Sequence, residues 1–281
     1  MIKMDINVKK PLDTDYERIW RSPHFEDADA AFLLDLKNRA ESIRCIYADG
    51  RLAGAAQLFM ETKAFLYVFI FPEFRNRGIG TRAQKLCEKQ LSQHNIETIM
   101  TTYRIDHPEA KIFAEKHGYK RNFSSAYMKY DGGKFALPKL PVRGYCDADF
   151  DAAFKLYAEA FHRMRVSVGD FPDSVIAQPD AETRQIWAQT ADERLVFVDA
   201  GIVVGYAHVE GDEIGSVAVR IQNQGRGIGR NFVKYACNTI LDGGNDFVSL
   251  YCVVGNNARR LYDSLGFREV YIADYATKPA P

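Results

Sequence analysis

Two short phrases carry the residue types that hold a phosphate: "FRNRGIGTRA" (residues 74–83) and "NQGRGIGRNF" (residues 223–232). Each sets glycines among arginines, after a β-rich run and before a stretch of helical spacing. A helix N-terminus carries about half a positive charge, and its first N–H groups have no partner within the helix. Glycines there let an anion approach the backbone with no Cβ in the way. In the second phrase the cradle is Gly225, Gly227 and Gly229, with Arg226 and Arg230 at its mouth. The first offers Arg75, Arg77, Gly78, Gly80 and Arg82 in the same layout. The glycines of a single copy could serve a tight strand-to-helix turn alone; two copies in one context favour a ligand.

Two phosphate-binding classes are disfavoured. The GxxxxGK[ST] pattern of nucleoside triphosphate hydrolysis is absent. Gly78 to Ala83 spells GxGxxG/A, but the second copy places Phe232 at the last position. The phrase also follows several strands, whereas a dinucleotide-binding domain places it in its first βα turn.

Three landmarks recur in one order: the glycine phrases, "HGY" (residues 117–119) with "LGF" (265–267), and "YADGRLAGAAQ" (47–57) with "VDAGIVVGYAH" (198–208). Each pair is offset by about 150 residues, which marks a duplicated domain and not a short-period solenoid. The expected domains are residues 1–137 and 138–281, parted within "DGGKFALPKLPVR" (131–143), where glycines and prolines interrupt the pattern. Each half reads as α/β. In the second, helices are expected over 147–161 and 181–189, then strands "RLVFVD", "IVVGYAHVE" and "EIGSVAVR". The glycine phrase opens the next helix, with an apolar stripe at Ile228, Phe232, Tyr235/Ala236 and Ile240. "FVSLYCVV", a short helix in "NNARRLYDSL", and "REVYIADYA" follow.

Gln224–Gly229 and Arg75–Gly80 match [RQ]xxGx[GA], and "NNARRLYDSLGF" (256–267) resembles NxxAxxLYxxxGF. Together, at this separation, they resemble the GNAT superfamily of N-acetyltransferases over essentially the whole chain. The resemblance implies two tandem domains, each a mixed, mostly antiparallel sheet with splayed central parallel strands flanked by helices. It also implies acetyl-CoA in the opening between those strands and direct transfer of its acetyl group to a primary amine of a small molecule or peptide.

Carried over residue by residue, Val217, Ala218 and Val219 pair with the pantetheine arm, and an N–H there polarises the thioester carbonyl. Gln224, Gly225, Arg226, Gly227, Ile228, Gly229 and Arg230 hold the pyrophosphate. Asn256 contacts the arm, although strict alignment from Ala258 puts the motif's asparagine at Gly255. Tyr262 donates a proton to the departing thiolate; by spacing alone it belongs equally to a core stripe with Ala258, Leu261 and Leu265. The amine must lose a proton before attack. Glu210 and Glu213, with Asp212 and His208, are the candidate bases; in a hairpin the carboxylates could also be solubilising, and the histidine packed or exposed. The first half offers the same cradle through Val68, Phe69, Ile70, Arg75, Asn76, Arg77, Gly78, Ile79, Gly80 and Thr81. It has Phe113 and Ala114 where the second has Leu261 and Tyr262, so its proton donor is missing. The second domain is therefore the expected catalyst and the first a degenerate copy. The alternatives are a non-catalytic acyl-CoA-binding scaffold, or an enzyme for longer acyl groups bounded by Tyr206 and Tyr251.

Composition narrows the partners. Lysine plus arginine balances aspartate plus glutamate at 37 each, so no global field draws nucleic acid or an anionic membrane. The 5 cysteines stand singly, outside CxxC or CxxH pairs, which points to free thiols in a reducing compartment and to no metal. No run approaches the roughly 20 apolar residues of a membrane span, and no leader is read at the N-terminus. A cytoplasmic protein is expected, with acetyl-CoA and an amine as its partners.

Overall fold

The computed structural model describes residues 4–20, 28–60 and 64–281. The chain divides into two compact units, residues 1–122 with 273–281, and residues 123–272. These differ from the expected halves, because each unit takes one strand from the other half of the sequence.

In the first unit the order is β1 (Ile6–Lys9), α1 (Asp13–Trp20), α2 (Ala30–Lys37), β2 (Ile43–Ala48), β3 (Arg51–Met60), β4 (Ala64–Ile70), α3 (Ile79–Leu91), β5 (Thr98–Arg104) and α4 (Pro108–Lys116). The next strand, β6 (Lys120–Tyr130), enters the second unit from Phe123 onward. There follow β7 (Val142–Gly144), α5 (Phe150–Val168), α6 (Ala181–Gln189), β8 (Arg194–Asp199), β9 (Ile202–Glu210), β10 (Glu213–Val219), α7 (Ile228–Asp242), β11 (Val248–Val253), α8 (Arg259–Leu265) and β12 (Arg268–Pro279). From Ala273 onward β12 belongs to the first unit.

The first unit's sheet runs β1-β2-β3-β4-β5-β12 and the second's β7-β8-β9-β10-β11-β6. All neighbours are antiparallel except β4 with β5 and β10 with β11. Those parallel pairs barely pair. Among the described residues, only Ala64↔Ile99 and Phe65↔Met100 are matched in the first unit, and only Glu213↔Ser249 in the second. Beyond those residues the strands splay. A parallel link requires a crossover, and α3 and α7 supply it on the buried stripes Ile79, Ala83, Cys87, Leu91 and Phe232, Val233, Ala236, Cys237, Ile240.

The units differ in one detail of the central strand. The β3–β4 register runs without interruption from Gly54↔Ile70 to Met60↔Ala64. The β9–β10 register shifts between Ile214 and Ser216, leaving Gly215 as an extra residue. Such a bulge bends a strand and re-aims its backbone groups.

The second sheet has a core on each face. One gathers Phe232, Ile240, Leu250, Cys252, Tyr262 and Phe267; the other gathers Phe150, Phe154, Trp187 and Tyr206, with Trp187 and Tyr206 stacked at 4.5 Å. Five of the expected second-half elements, 181–189, 194–199, 202–210, 213–219 and 248–253, fall where periodicity places them. The expected helix over 147–161 begins with a 3-10 turn and extends to Val168.

Candidate active site

The two cradles are built alike. Gly78 and Gly227 precede α3 and α7 with φ of 73° and 78°, and neither helix has a side-chain cap. Only glycine enters that left-handed region without cost, so the first-turn N–H groups stay open to a ligand. Asn76 (φ 59°) in the first loop stands where Gly225 (φ 74°) stands in the second; asparagine tolerates that region best among the larger residues.

Both signature side chains close the loop onto the strand before it. Arg75 Nε donates to the Ile70 carbonyl at 2.9 Å, and Gln224 Nε2 donates to the Val219 carbonyl at 3.0 Å. Arginine and glutamine thus do one job at this position, holding the turn. Arg230 donates to Ser264 Oγ at 2.6 Å and Arg82 to the Met4 carbonyl, so both guanidinium groups are engaged away from the cradles. Arg226 is exposed, and Arg77 lies over the Phe74 ring at 6.0 Å.

The first unit holds a cleft of about 640 Å³ between its splayed strands, inside the range of small-molecule sites. Of the residues expected there, Val68, Phe69, Ile70, Arg75, Asn76, Gly78, Ile79, Gly80 and Thr81 all line it, and Arg77 does not. The sequence reading missed the opposite wall, Thr101, Thr102 and Tyr103 on β5. No motif marks that wall; it borders a cavity because β4 and β5 part there. The Thr102 hydroxyl is buried there with no hydrogen-bond partner among the described residues, a polar group that a ligand in the cleft would satisfy. Ala114 also lines the cleft.

In the second unit Val217, Ala218 and Val219 pair with Ala207, Tyr206 and Gly205 on the β9 side, which leaves the opposite edge toward the splay. Ile228 and Gly229 open α7. Asn256 spends its side chain locally, accepting from Ala258 N at 2.9 Å. Tyr262 is in the core: it is 8% exposed, and its ring meets Phe267 edge-on at 5.8 Å. Burial holds its phenol well above the ordinary value, a direction that weakens it as a proton donor. The core stripe, one of the two roles its spacing allows, is therefore filled.

The carboxylates separate. Asp212 accepts from Ser249 Oγ at 2.8 Å, next to the β10–β11 pair Glu213↔Ser249. Glu213 lies opposite Glu210 across the hairpin. Glu210 joins a cluster with His208 and Glu193 whose side-chain polar atoms all lie within 4.8 Å of one another. Glu193 escaped the sequence reading, being 15 positions from His208; counting the β8–β9 ladder, which sets Arg194 opposite His208, would have found it.

Each unit thus sets a glycine-led, uncapped helix start beside two parallel strands that splay apart. Residues 10–119 match the model of the acetyltransferase (GNAT) family, and residues 183–269 match that of an acetyltransferase (GNAT) domain. Together they span more than half of the chain, which belongs to the GNAT family. A GCN5-related N-acetyltransferase from Sphaerobacter thermophilus is similar, with a TM-score of 0.73 at 20% identity over 98% of this chain and 96% of that one. A tandem GNAT protein from the clavulanic acid biosynthesis pathway superposes with a TM-score of 0.63 at 16% identity over 99% of both chains. A GNAT acetyltransferase from Colwellia psychrerythraea gives a TM-score of 0.54 at 13% identity, over 97% of this chain and 100% of that one. At these identities the likeness is one of fold. No curated protein matches the sequence. No helix among the described residues is long and apolar enough to cross a membrane.

Proposed function

We propose that this protein is an acyl-CoA-dependent N-acetyltransferase acting on a primary amine, with its two units in different roles. The observation that carries the reading is the coincidence of the first unit's cleft with its uncapped cradle: nine residues named from the signature and its strand line one cavity. Family membership supports acetyl-CoA as the occupant, and the donor set fits it. The open N–H groups from Ile79 to Thr81 suit a pyrophosphate, and the walls of β4 and β5 suit an extended arm.

Acetyl-CoA, when bound, supplies an activated acetyl thioester. In the second unit the backbone of Val217–Val219 lines the arm, and the loop from Gln224 to Arg230 holds the pyrophosphate. A backbone N–H of Val217–Val219, just past the bulge at Gly215, would polarise the thioester carbonyl. Glu210 and Glu213 stand at the hairpin beside it to attract the ammonium of the acceptor, and Tyr262 returns a proton to the leaving thiolate. The unbroken β3–β4 ladder and Ala114 support assigning transfer to the second unit and binding alone to the first.

The reading is tested by titrating the intact protein calorimetrically with CoA, then following release of the CoA thiol from acetyl-CoA across a panel of primary amines, amino acids and peptides. Binding together with amine-dependent thiol release is the expected result; no binding overturns it. A second reading, an acyl-CoA-binding scaffold without transfer, draws on the core placement of Tyr262, and binding with no release for any amine would establish it.

A further inference from the structure

We infer that His208, held by Glu193, is the general base of the second unit; the inference rests on the transferase reading above. His208 Nε2 lies 3.1 Å from Glu193 Oε2. In the neutral ring a proton on Nε2 is donated to the carboxylate, which leaves Nδ1 as the acceptor. Nδ1 makes no hydrogen bond among the described residues, and it faces Gly215. A Cβ built on that glycine would sit 3.1 Å from Nδ1, so any larger residue would crowd the nitrogen the reaction needs.

The placement along the sheet fits the chemistry. Gly215 is the bulged residue of β10, two positions past Glu213, whose pair with Ser249 is the only β10–β11 match among the described residues. The free imidazole nitrogen therefore stands where the two strands begin to part, beside the backbone re-aimed by the bulge. His208 is partly exposed, its side chain 21% accessible, so an acceptor can reach it.

The charges around the ring suit a cationic acceptor. Glu210 is part of the same cluster, and Glu213 Oε1 lies 3.9 Å from the Cβ position at Gly215. Arg194, opposite His208 in the ladder, turns its guanidinium onto the Trp187 ring at 4.7 Å and donates to the Tyr206 hydroxyl. The face is thus carboxylate-lined and draws a primary ammonium. His208 Nδ1 takes one proton from that ammonium and later releases it to water. The amine nitrogen then forms its bond to the acetyl carbon as the carbon–sulfur bond breaks, the thiolate takes its single proton from Tyr262, and the nitrogen's second proton passes through solvent to restore the Tyr262 hydroxyl. Glu193 acts through His208 as a positioning residue.

Two measurements on the full chain test this. Imidazole nitrogen NMR, with His208 assigned by the signals missing in His208→Asn, is expected to show the Nε2-protonated tautomer in the wild type. Glu193→Ala is expected to move it toward the ordinary mixture. In the thiol-release assay with the amine panel, His208→Asn is expected to lower kcat at least about 100-fold, the usual reach of a general base. The KM for acetyl-CoA and the melting temperature should stay close to the wild-type values, and Glu193→Ala should give a smaller loss of the same kind. An active wild type with an unimpaired His208→Asn variant, or a wild type protonated on Nδ1, overturns the base assignment alone. Turnover abolished by a chelator and restored by zinc also overturns it. A wild type that binds CoA but is inert toward the whole panel overturns the transferase reading, and this inference falls with it.

Discussion

Gln224 donates its side-chain amide to the Val219 carbonyl at 3.0 Å, tying the first residue of the glycine signature to the last residue of β10. Arg75 does the same to Ile70 in the first unit at 2.9 Å. The cradle thus depends on a side-chain strut between the loop and the strand before it. Arg75→Ala is expected to cost about 1 kcal/mol of stability, the net worth of one hydrogen bond. It should also weaken CoA binding in the first unit by about tenfold, or roughly 1.4 kcal/mol. Calorimetric titration beside denaturant unfolding reads both.

Gly227 has a φ of 78°, and a Cβ added there meets nothing within 4 Å. Substitution is therefore penalised by the backbone alone. Gly227→Ala is expected to cost about 1–2 kcal/mol, and Gly227→Val more, because a β-branched residue is less at home in that region. Gly227→Asn should be the mildest, since Asn76 already occupies the same region in the first loop. The order Asn, Ala, Val in urea midpoints is the measurement.

Tyr262→Phe separates the two roles of that ring. Its hydroxyl makes no side-chain hydrogen bond among the described residues, so the change leaves the packing against Phe267 intact. Stability should move by no more than about 0.5 kcal/mol. If the hydroxyl is the proton donor, kcat falls about 100-fold; undiminished turnover makes Tyr262 a core residue only. Paired melting curves and thiol-release rates decide it.

Asp149 sits before α5, and the Arg143 guanidinium beside it, aided by the Cys146 N–H, holds its carboxyl down at about 2, below the ordinary 3.8. A group whose pKa is lower folded than unfolded stabilises the fold above its unfolded value, and that contribution is lost as pH falls through the folded one. Stability should therefore decline between about pH 4 and pH 2, and Asp149→Asn should flatten that part of the curve. At neutral pH the same substitution should cost about 2 kcal/mol, as for a hydrogen bond to a charged group. Urea unfolding across that pH window is the check.

Much was legible in local pattern. The turn chemistry of Gly78 and Gly227, the stripes of α3 and α7 and the alternation of β8 and β9 are set by neighbours a few residues apart, so the duplicated fold and its two cradles could be read directly. What the sequence did not disclose lies across long separations. The exchange of β6 and β12 between units depends on which sheet edge each strand finds, and apolar alternation is the same for either edge. The cleft wall at Thr101–Tyr103 exists because β4 and β5 part beyond Phe65↔Met100, a matter of ladder geometry. Glu193 meets His208 only because the β8–β9 register, irregular at Phe197/Val198, brings them to one end of the hairpin. Local chemistry determined where a phosphate could be held; tertiary register alone decided which carboxylate stands beside the histidine, and that Tyr262 turns its ring into the core.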